Sequence, residues 1–229
     1  MRLIILTILI HLFLLTTPLK GQPFETVDTN YFFNTSKVKS IVKYSVINDD
    51  TIYIGRASFY YITGGIWQEG NYKNGEMHGK WITWYPNGKH KRTAIYTLGK
   101  KNGKVANYYD NGNPKLILNY RNDTLCGLST LYYKNRKVKE TRYYKNSKLF
   151  GLTTGYNING GLSYRINFVD SIQNGLYEKY HYSGNLKEKG QINDQQYYGR
   201  YTSYYDNGQV EKEYSYLGFS IDGPYLVYF

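Results

Sequence analysis

The chain has very little cysteine and no long hydrophobic segment after its first residues. Cys126 is its only cysteine, so no internal disulfide can form and stability must come from packing and strand pairing. No segment reaches the roughly 17 to 25 apolar residues that span a bilayer, so we expect no transmembrane segment in the mature chain. Histidine and cysteine do not occur at His-x-x-x-His or Cys-x-x-Cys spacing, which argues against a dedicated zinc site.

The N-terminus has the three parts of a secretory signal. Arg2 supplies an early positive charge, an apolar run extends from Leu3 to Leu15, and the polar residues Thr16, Thr17 and Pro18 follow. This pattern predicts a signal peptide over residues 1–21. The apolar run is too short for a retained membrane anchor, which is the alternative interpretation. We therefore expect export to the periplasm, the cell envelope or the extracellular space.

Two features of the composition stand out. The formal charge is +12 and falls to +10 once Arg2 and Lys20 are removed with the signal. Such a balance favours an anionic partner or surface, although many exported proteins are basic without binding one. The chain also contains 29 tyrosines. Tyrosine rings can pack while their hydroxyl groups reach water or a partner, so we expect thin, half-hydrated layers.

A 24-residue period organises most of the chain. Glycines recur at this spacing without exception, and an aromatic residue follows each of them five residues later. Self-similarity at one fixed period is the signature of a repeat architecture. The glycine column is Gly55, Gly79, Gly103, Gly127, Gly151, Gly175, Gly199 and Gly223. The aromatic column is Tyr60, Trp84, Tyr108, Tyr132, Tyr156, Tyr180, Tyr204 and Tyr228.

Each unit contains one predicted hairpin turn. A second, mostly aromatic column directly follows the first and is followed by pairs such as Asn87 and Gly88. Asn-Gly between two extended runs predicts a two-residue type I′ turn. Arg136 is the one non-glycine in the turn-glycine column and is expected to adopt the same left-handed geometry.

After the turn, apolar residues fall mostly on alternate positions, which is the period of a strand with one packed face. We therefore predict an all-β fold, an elongated antiparallel β-meander or solenoid of about eight 24-residue hairpin repeats. Successive units would lie two strands, or about 10 Å, apart. The expected organisation is a signal peptide over 1–21, a capping segment of one or two strands over 22–54, and the repeat array over 55–229.

The segment from Gly70 to Gly79 and the turn from Tyr85 to Gly88 resemble MORN repeats in their bacterial variant form. Original MORN units have a second glycine where this chain has Trp81 or Val105. The bulkier residues are similar to the variant group, which includes proteins labelled as YwqK-family antitoxins. The resemblance implies the hairpin-repeat fold and is uninformative about function. It makes the lipid binding reported for some original MORN proteins harder to carry over.

Residues capable of catalysis or metal binding do not form a convincing site in the sequence. His90 and His181 occupy repeat columns that other units fill with proline, isoleucine or tyrosine, and His78 is the third histidine of the mature chain. Cys126 lies in a turn column, where an incidental thiol is the simpler interpretation. Asp110 and Asp206 share a turn column, as turn-forming residues. Glu140, Glu188 and Glu213 are interleaved with lysines, as on a solvated face.

One polar column carries four lysines, and its members are Trp67, Lys91, Lys115, Lys139, Ser163, Lys187 and Glu211. Lys91, Lys115, Lys139 and Lys187 are therefore candidate contacts for an anion or a partner. The simpler interpretation is that they only keep a flat sheet soluble and discourage edge pairing. The sharper hypothesis is a lysine stripe that meets a periodic anion such as a teichoic acid, a lipopolysaccharide chain or an acidic protein.

These observations favour a non-enzymatic binding or scaffolding protein. We expect no cofactor, no metal and no nucleic acid, and a protein or glycan partner that includes an anionic envelope component as a candidate. An antitoxin or immunity protein is the alternative that the family label raises. An envelope polysaccharide hydrolase is the second alternative, although a single-layer meander offers no deep cleft for the two carboxylates that such chemistry needs.

We predict cleavage close to Gly21 and export of the mature chain, because the charged, apolar and polar parts of residues 1–21 match a secretory signal. N-terminal sequencing of the protein recovered outside the cytosol measures the site directly. An intact N-terminus on protein found in the cytosol would remove the export prediction.

Overall fold

The computed structural model describes residues 24–218 and 220–229, and the predicted signal peptide over 1–21 lies outside them. The described residues form one sheet of 19 strands. No helix of the described chain is long and apolar enough to cross a membrane. The strands are β1 (Phe24–Tyr31), β2 (Val38–Ile47), β3 (Asp50–Tyr60), β4 (Ile66–Lys73), β5 (Glu76–Trp84), β6 (His90–Thr97), β7 (Lys100–Tyr108), β8 (Pro114–Arg121), β9 (Thr124–Leu125), β10 (Gly127–Tyr132), β11 (Val138–Lys145), β12 (Lys148–Leu149), β13 (Gly151–Tyr156), β14 (Leu162–Val169), β15 (Ile172–Tyr180), β16 (Leu186–Asn193), β17 (Gln196–Tyr204), β18 (Val210–Leu217) and β19 (Ser220–Val227).

The sheet is an open antiparallel meander, as the repeat pattern predicts. Each long strand pairs with the long strands before and after it in the chain. The two-residue strand β9 lies between β8 and β10 in the chain, and β8 pairs directly with β10. In the same way β12 lies between β11 and β13, and β11 pairs directly with β13. Residues 24–54 contribute β1, β2 and the beginning of β3, so the sheet runs without a break from this segment into the repeats.

The predicted turns are in the right places but have a different geometry. In the turn from Tyr85 to Gly88, the Gly88 N–H donates to the Tyr85 carbonyl oxygen at 2.9 Å. Gly88 has φ of 78°, whereas Pro86 and Asn87 do not have positive φ. This is a type I turn that ends in a left-handed glycine, not the two-residue type I′ turn predicted above. Proline fixes φ near −65°, so Pro86 cannot occupy a type I′ turn.

The two-residue type I′ turns lie at the opposite edge of the sheet. Asn74 and Gly75, between β4 and β5, have φ of 53° and 80°. Asn146 and Ser147 take the same geometry with φ of 50° and 64°. The second residue varies from unit to unit, so the column shows no uniform Asn-Gly signature in the sequence.

The glycine column with the 24-residue period marks a β-bulge. Gly79 has φ of 71°, and a Cβ atom there would meet nothing within 4 Å, so backbone conformation rather than space calls for glycine. On β4 and β5, Glu69 pairs with Ile82 and Asn71 pairs with His78. An advance of two residues along β4 therefore corresponds to an advance of four residues along β5, so β5 contains the extra residues of the bulge. Bulges of this kind bend a strand and increase its local twist.

The core is a thin layer along the middle of the sheet. Trp81 is buried together with Val42 and Ala57. Its ring lies over Gly70, where an added Cβ would come within 2.2 Å of the indole. Tyr72 packs edge-on against the Trp81 ring at 5.1 Å between centroids. The column that departs from the original MORN glycine therefore supplies the largest side chain of this cluster.

Arg136 has φ of 72°, which agrees with the expected left-handed position. Its Nε atom also donates to Asn113 Oδ1 at 2.6 Å. We predict that Arg136→Gly is more stable than Arg136→Ala by roughly 1 kcal/mol, because both variants lose this bond and only alanine keeps a Cβ in the left-handed region. Urea denaturation of the two variants measures the difference. Equal stabilities would contradict the turn geometry.

Candidate anion-binding edge

A ladder of tyrosine hydroxyl groups joins successive units at the type I turn edge. Tyr85 donates its hydroxyl hydrogen to the carbonyl oxygen of Tyr108, which is 23 residues later, at 2.8 Å. Each of these bonds joins the residue that follows a strand in one unit to the end of the equivalent strand in the next unit. The other tyrosine rungs run from Tyr61 to Trp84, Tyr109 to Tyr132, Tyr133 to Tyr156 and Tyr205 to Tyr228.

The ladder changes at two positions. Asn157 is too short to span the gap, and its amide donates instead to the Leu162 carbonyl oxygen within its own loop. His181 restores the link through Nε2, which lies 2.8 Å from the Tyr204 carbonyl oxygen. Because a carbonyl can only accept, Nε2 carries the hydrogen in this bond. The uninterrupted run of tyrosine rungs therefore extends from Tyr61 to Tyr133.

The lysine column occupies a second kind of bulge, at the start of the strand that follows each type I turn. Thr83 pairs with Arg92 and Trp84 with His90, which leaves Lys91 as the extra, unpaired residue. Lys115 and Lys139 are unpaired in the same way. The sequence predicts this column on the polar face of a strand, whereas in the structure it lies at a bulge. A bulge redirects the side chain, and here it directs the lysine toward the tyrosine ladder.

Three lysines lie over the rings of the ladder. The Nζ atoms of Lys91, Lys115 and Lys139 are 5.8, 5.6 and 5.6 Å from the ring centroids of Tyr85, Tyr109 and Tyr133. These are cation–π distances. All three lysines are exposed, and none forms an ion pair with a residue in the described ranges. The structure therefore repeats one lysine-on-tyrosine arrangement in three consecutive units, which we call the lysine stripe.

Lys187, the fourth predicted contact, is separated from the stripe. Ser163 occupies the intervening bulge position, and the corresponding ladder residue is Asn157. Lys187 is exposed beside His181 at a depression of about 390 Å³ that is also lined by Glu188 and Glu211. Its surroundings are therefore mixed in charge.

Basic residues are concentrated around the lysine stripe. Residues 73–150 carry a net charge of +13, whereas residues 24–72 carry −1 and residues 151–229 carry −2. The three turn segments 85–91, 109–115 and 133–139 contribute +6 of this total. We call these three segments the basic edge. The edge thus combines a net positive charge with lysines that recur at one position in each unit, as suits an anion-binding surface.

Other cations of the basic edge link neighbouring units. Lys89 Nζ donates to the Asn111 carbonyl oxygen at 3.1 Å, and Lys137 Nζ donates to that of Asn159 at 2.6 Å. These bonds order the two side chains without neutralising them. Asp110 pairs with Lys134 at 2.8 Å, and the Lys134 ammonium holds the pKa of this carboxyl below its ordinary value. Asp110 is the one acidic residue of the edge.

The interpretation of Glu140 and Glu188 as residues of a solvated face was wrong. The Glu140 side chain is 8% exposed, and its carboxylate accepts bonds from Arg142 at 2.6 Å and from Tyr164 at 2.7 Å. Glu140 has an even residue number, as the apolar residues Val138 and Tyr144 of the same strand do. The period of two in the sequence therefore puts Glu140 on the packed face. Counting that alternation through Glu140 would have identified it as buried.

Glu188 occupies the same column two units later. It accepts hydrogen bonds from the hydroxyl groups of Tyr177, at 2.7 Å, and Tyr201, and it pairs with Lys179 at 2.9 Å. Burial raises the pKa of Tyr177 and Tyr201, and their bonds to the Glu188 carboxylate raise it further. Burial alone would raise the pKa of Glu188, but these bonds lower it below the ordinary value. No spacing in the sequence connects these residues, because they meet only through strand register.

The three histidines and the cysteine of the described chain do not lie together in one site. His90 lies between the rings of Trp84 and Tyr108, at 5.8 and 6.0 Å between centroids. His78 Nδ1 is buried without a hydrogen-bond partner among the described residues. Cys126 is half-buried. The described part of the chain contains no group of three histidine, cysteine or carboxylate residues arranged to hold a metal ion.

A family model described as the MORN repeat variant matches four segments of the chain, 77–97, 101–122, 173–194 and 197–217. The chain thus carries MORN variant repeats in both halves of its array. The match is to the repeat itself and does not distinguish the antitoxin-labelled group. A comparison with curated proteins finds no match.

The tyrosine ladder should contribute measurably to stability. We predict that Tyr109→Phe lowers the free energy of unfolding by about 1 kcal/mol, because the variant keeps the ring and loses the bond to the Tyr132 carbonyl oxygen. Tyr143→Phe is the matched control, since Tyr143 is 47% exposed. Chemical denaturation of both variants measures the effect. A loss no larger than that of the control would mean that the ladder bond adds nothing to stability.

Proposed function

We propose that this MORN repeat protein is an exported, non-enzymatic binding and scaffolding module that holds an anionic protein or glycan partner along its basic edge. The observation that carries the proposal is the lysine stripe, in which Lys91, Lys115 and Lys139 lie over Tyr85, Tyr109 and Tyr133 in consecutive units. Other lysines also lie over aromatic rings, as Lys101 does over Tyr120, but only the stripe repeats one such pair in three consecutive units of the described chain.

The charge distribution supports binding through this edge. The net positive charge lies in residues 73–150, where the basic edge contributes +6 of +13, and the sheet on either side has no net positive charge. A surface of one sign raises the local concentration of opposite charges and accelerates association. Exposed charges are screened over about 8 Å at physiological salt and about 3 Å at 1 M. Binding at this edge should therefore weaken steeply as salt is added.

The order of the stripe also supports binding. Each ring under a lysine is fixed by its own hydroxyl bond to the next unit, as Tyr109 is to Tyr132. A lysine that rests on a fixed ring has fewer rotamers to lose when it meets an anion. Immobilising a flexible side chain at an interface costs about 0.5 to 1.5 kcal/mol of free energy. Because the stripe lysines are already restricted in the free protein, binding should cost less than this for each of them.

The arrangement of the buried carboxylates supports a non-enzymatic role. Glu140 and Glu188 are each held by bonds from tyrosine and from arginine or lysine. They occupy one column two units apart, which is about 20 Å in a meander. Hydrolysis of a glycosidic bond needs two carboxyl groups about 5 to 9.5 Å apart. Glu188 and Glu211 line one depression, but both carboxylates are held by neighbouring side chains, since Ser203 donates to Glu211 and Lys212 pairs with it. No other feature of the described residues favours cell-wall hydrolysis or an antitoxin or immunity role.

The test compares two triple variants of equal charge on the two edges of the sheet. Lys91→Glu, Lys115→Glu and Lys139→Glu remove the stripe. Lys73→Glu, Lys100→Glu and Lys145→Glu change three exposed lysines that each lie beside a type I′ turn and form no ion pair with a described residue. We predict that the stripe variant binds labelled inorganic polyphosphate at low salt at least about tenfold more weakly than the control variant, since three exposed ion pairs are lost.

Fluorescence anisotropy gives the affinities, and circular dichroism checks that both variants keep their strands. Equal losses in the two variants would mean that net charge alone drives binding and that the basic edge has no special part in it. Undiminished binding by the stripe variant would overturn the proposal.

A further inference from the structure

The row that contains the lysine stripe begins with a tryptophan. Trp67 is the unpaired bulge residue of the preceding unit, since Phe59 pairs with Gln68 and Tyr60 pairs with Ile66. It therefore holds the same position as Lys91, one unit earlier. Phe59 supports the indole edge-on at 6.2 Å between centroids, and 41% of the Trp67 surface is exposed. The row Trp67, Lys91, Lys115 and Lys139 thus presents one partly exposed indole followed by three cations that lie over tyrosine rings.

We infer that the partner is an acidic glycan chain that lies along this row, with a sugar ring stacked on Trp67 and anionic groups on the three lysines. The inference rests on the proposed function, because it assigns a ligand class to the basic edge. It adds Trp67 as a specificity-determining residue.

The indole distinguishes a glycan from other polyanions. One face of a sugar ring presents C–H groups, which pack against an aromatic face, while its hydroxyl groups remain in water. Inorganic polyphosphate has no apolar face, so it would meet the lysines and leave Trp67 bare. An exposed tryptophan in line with three lysines therefore fits a polymer that alternates weakly apolar rings with anionic groups.

The geometry of the row favours a flexible chain over a membrane surface. Lys91 lies on β6 and Lys139 on β11, with four strand pairings between them. Adjacent strands of a sheet are rotated by about 20° on average, so the direction in which the side chains of the row point turns by about 80° over this distance. A flat bilayer meets a surface of this kind at one or two units at a time. A flexible polymer can follow all of them.

The row also has defined ends. Beyond Lys139, the next unit has Ser163 at the bulge and Asn157 in place of the ladder tyrosine, so both the cation and its ring are missing. From Trp67 to Lys139 the row crosses six strand pairings, or about 30 Å. Affinity for an acidic glycan should therefore rise with chain length until the chain spans about 30 Å and then level off.

The experiment measures two probes against four proteins. The probes are size-fractionated oligogalacturonate, which has sugar rings and carboxylates, and inorganic polyphosphate, which has no sugar. The proteins are wild type, Trp67→Ala, the stripe variant and Tyr182→Ala. Tyr182 is the matched aromatic control because it is 67% exposed on another turn.

We predict that Trp67→Ala binds oligogalacturonate roughly three- to tenfold more weakly and binds polyphosphate unchanged, and that Tyr182→Ala changes neither. The stripe variant should bind both oligogalacturonate and polyphosphate more weakly than wild type. Oligogalacturonate should alter the tryptophan fluorescence of wild type, and this change should disappear in Trp67→Ala.

The outcomes separate the inference from the function on which it rests. If the stripe variant keeps both probes, the proposed function fails. If the stripe variant loses both probes while Trp67→Ala affects them equally, the basic edge binds anions but the glycan assignment is wrong. Binding of wild type to vesicles that contain anionic lipid is measured in addition. Tighter binding to these vesicles than to oligogalacturonate would also overturn the glycan assignment, in favour of a membrane partner.

Discussion

The hydrogen bond from a tyrosine hydroxyl to the carbonyl oxygen of the next unit is the interaction on which the type I turn edge depends. A single hairpin of this size is only marginally stable in water. Stability in a linear array comes from the interfaces between neighbours. The rung from Tyr85 to Tyr108 fixes the spacing of two units at the point where their strands end. It also fixes a ring on which a lysine can rest.

Two bulges give each unit its shape, and they act differently. The bulge at the column of Gly79 needs a left-handed residue inside a strand, so glycine is found at that position in all eight units. The bulge at Lys91 has no such requirement, so its side chain is free to vary. Tryptophan, lysine, serine and glutamate all occur in that column. The fold thereby separates a position that builds the array from one that can carry specificity.

The interior of the array changes character along its length while the backbone pattern stays constant. Near the start, Trp81 fills the space above Gly70. In the later units, Tyr177 and Tyr201 fill the corresponding column and both donate to Glu188. A thin sheet leaves the hydroxyl end of each ring near the surface, so tyrosine can complete the core and still satisfy a carboxylate. The high tyrosine content is thus used both at the edge and in the middle of the sheet.

The sequence by itself determined the 24-residue unit, the all-β meander, the position of the type I turn and the row of lysines, because each depends on residues that recur within one unit. Tertiary structure decided what depends on the neighbouring unit. The ladder partner of Tyr85 is a main-chain oxygen, which leaves no residue signature, and the type I′ turns use residues as different as Gly75 and Ser147. The burial of Glu140 and the support of Lys91 by a ring arise from strand register and bulges, which set side-chain direction only when the units stack.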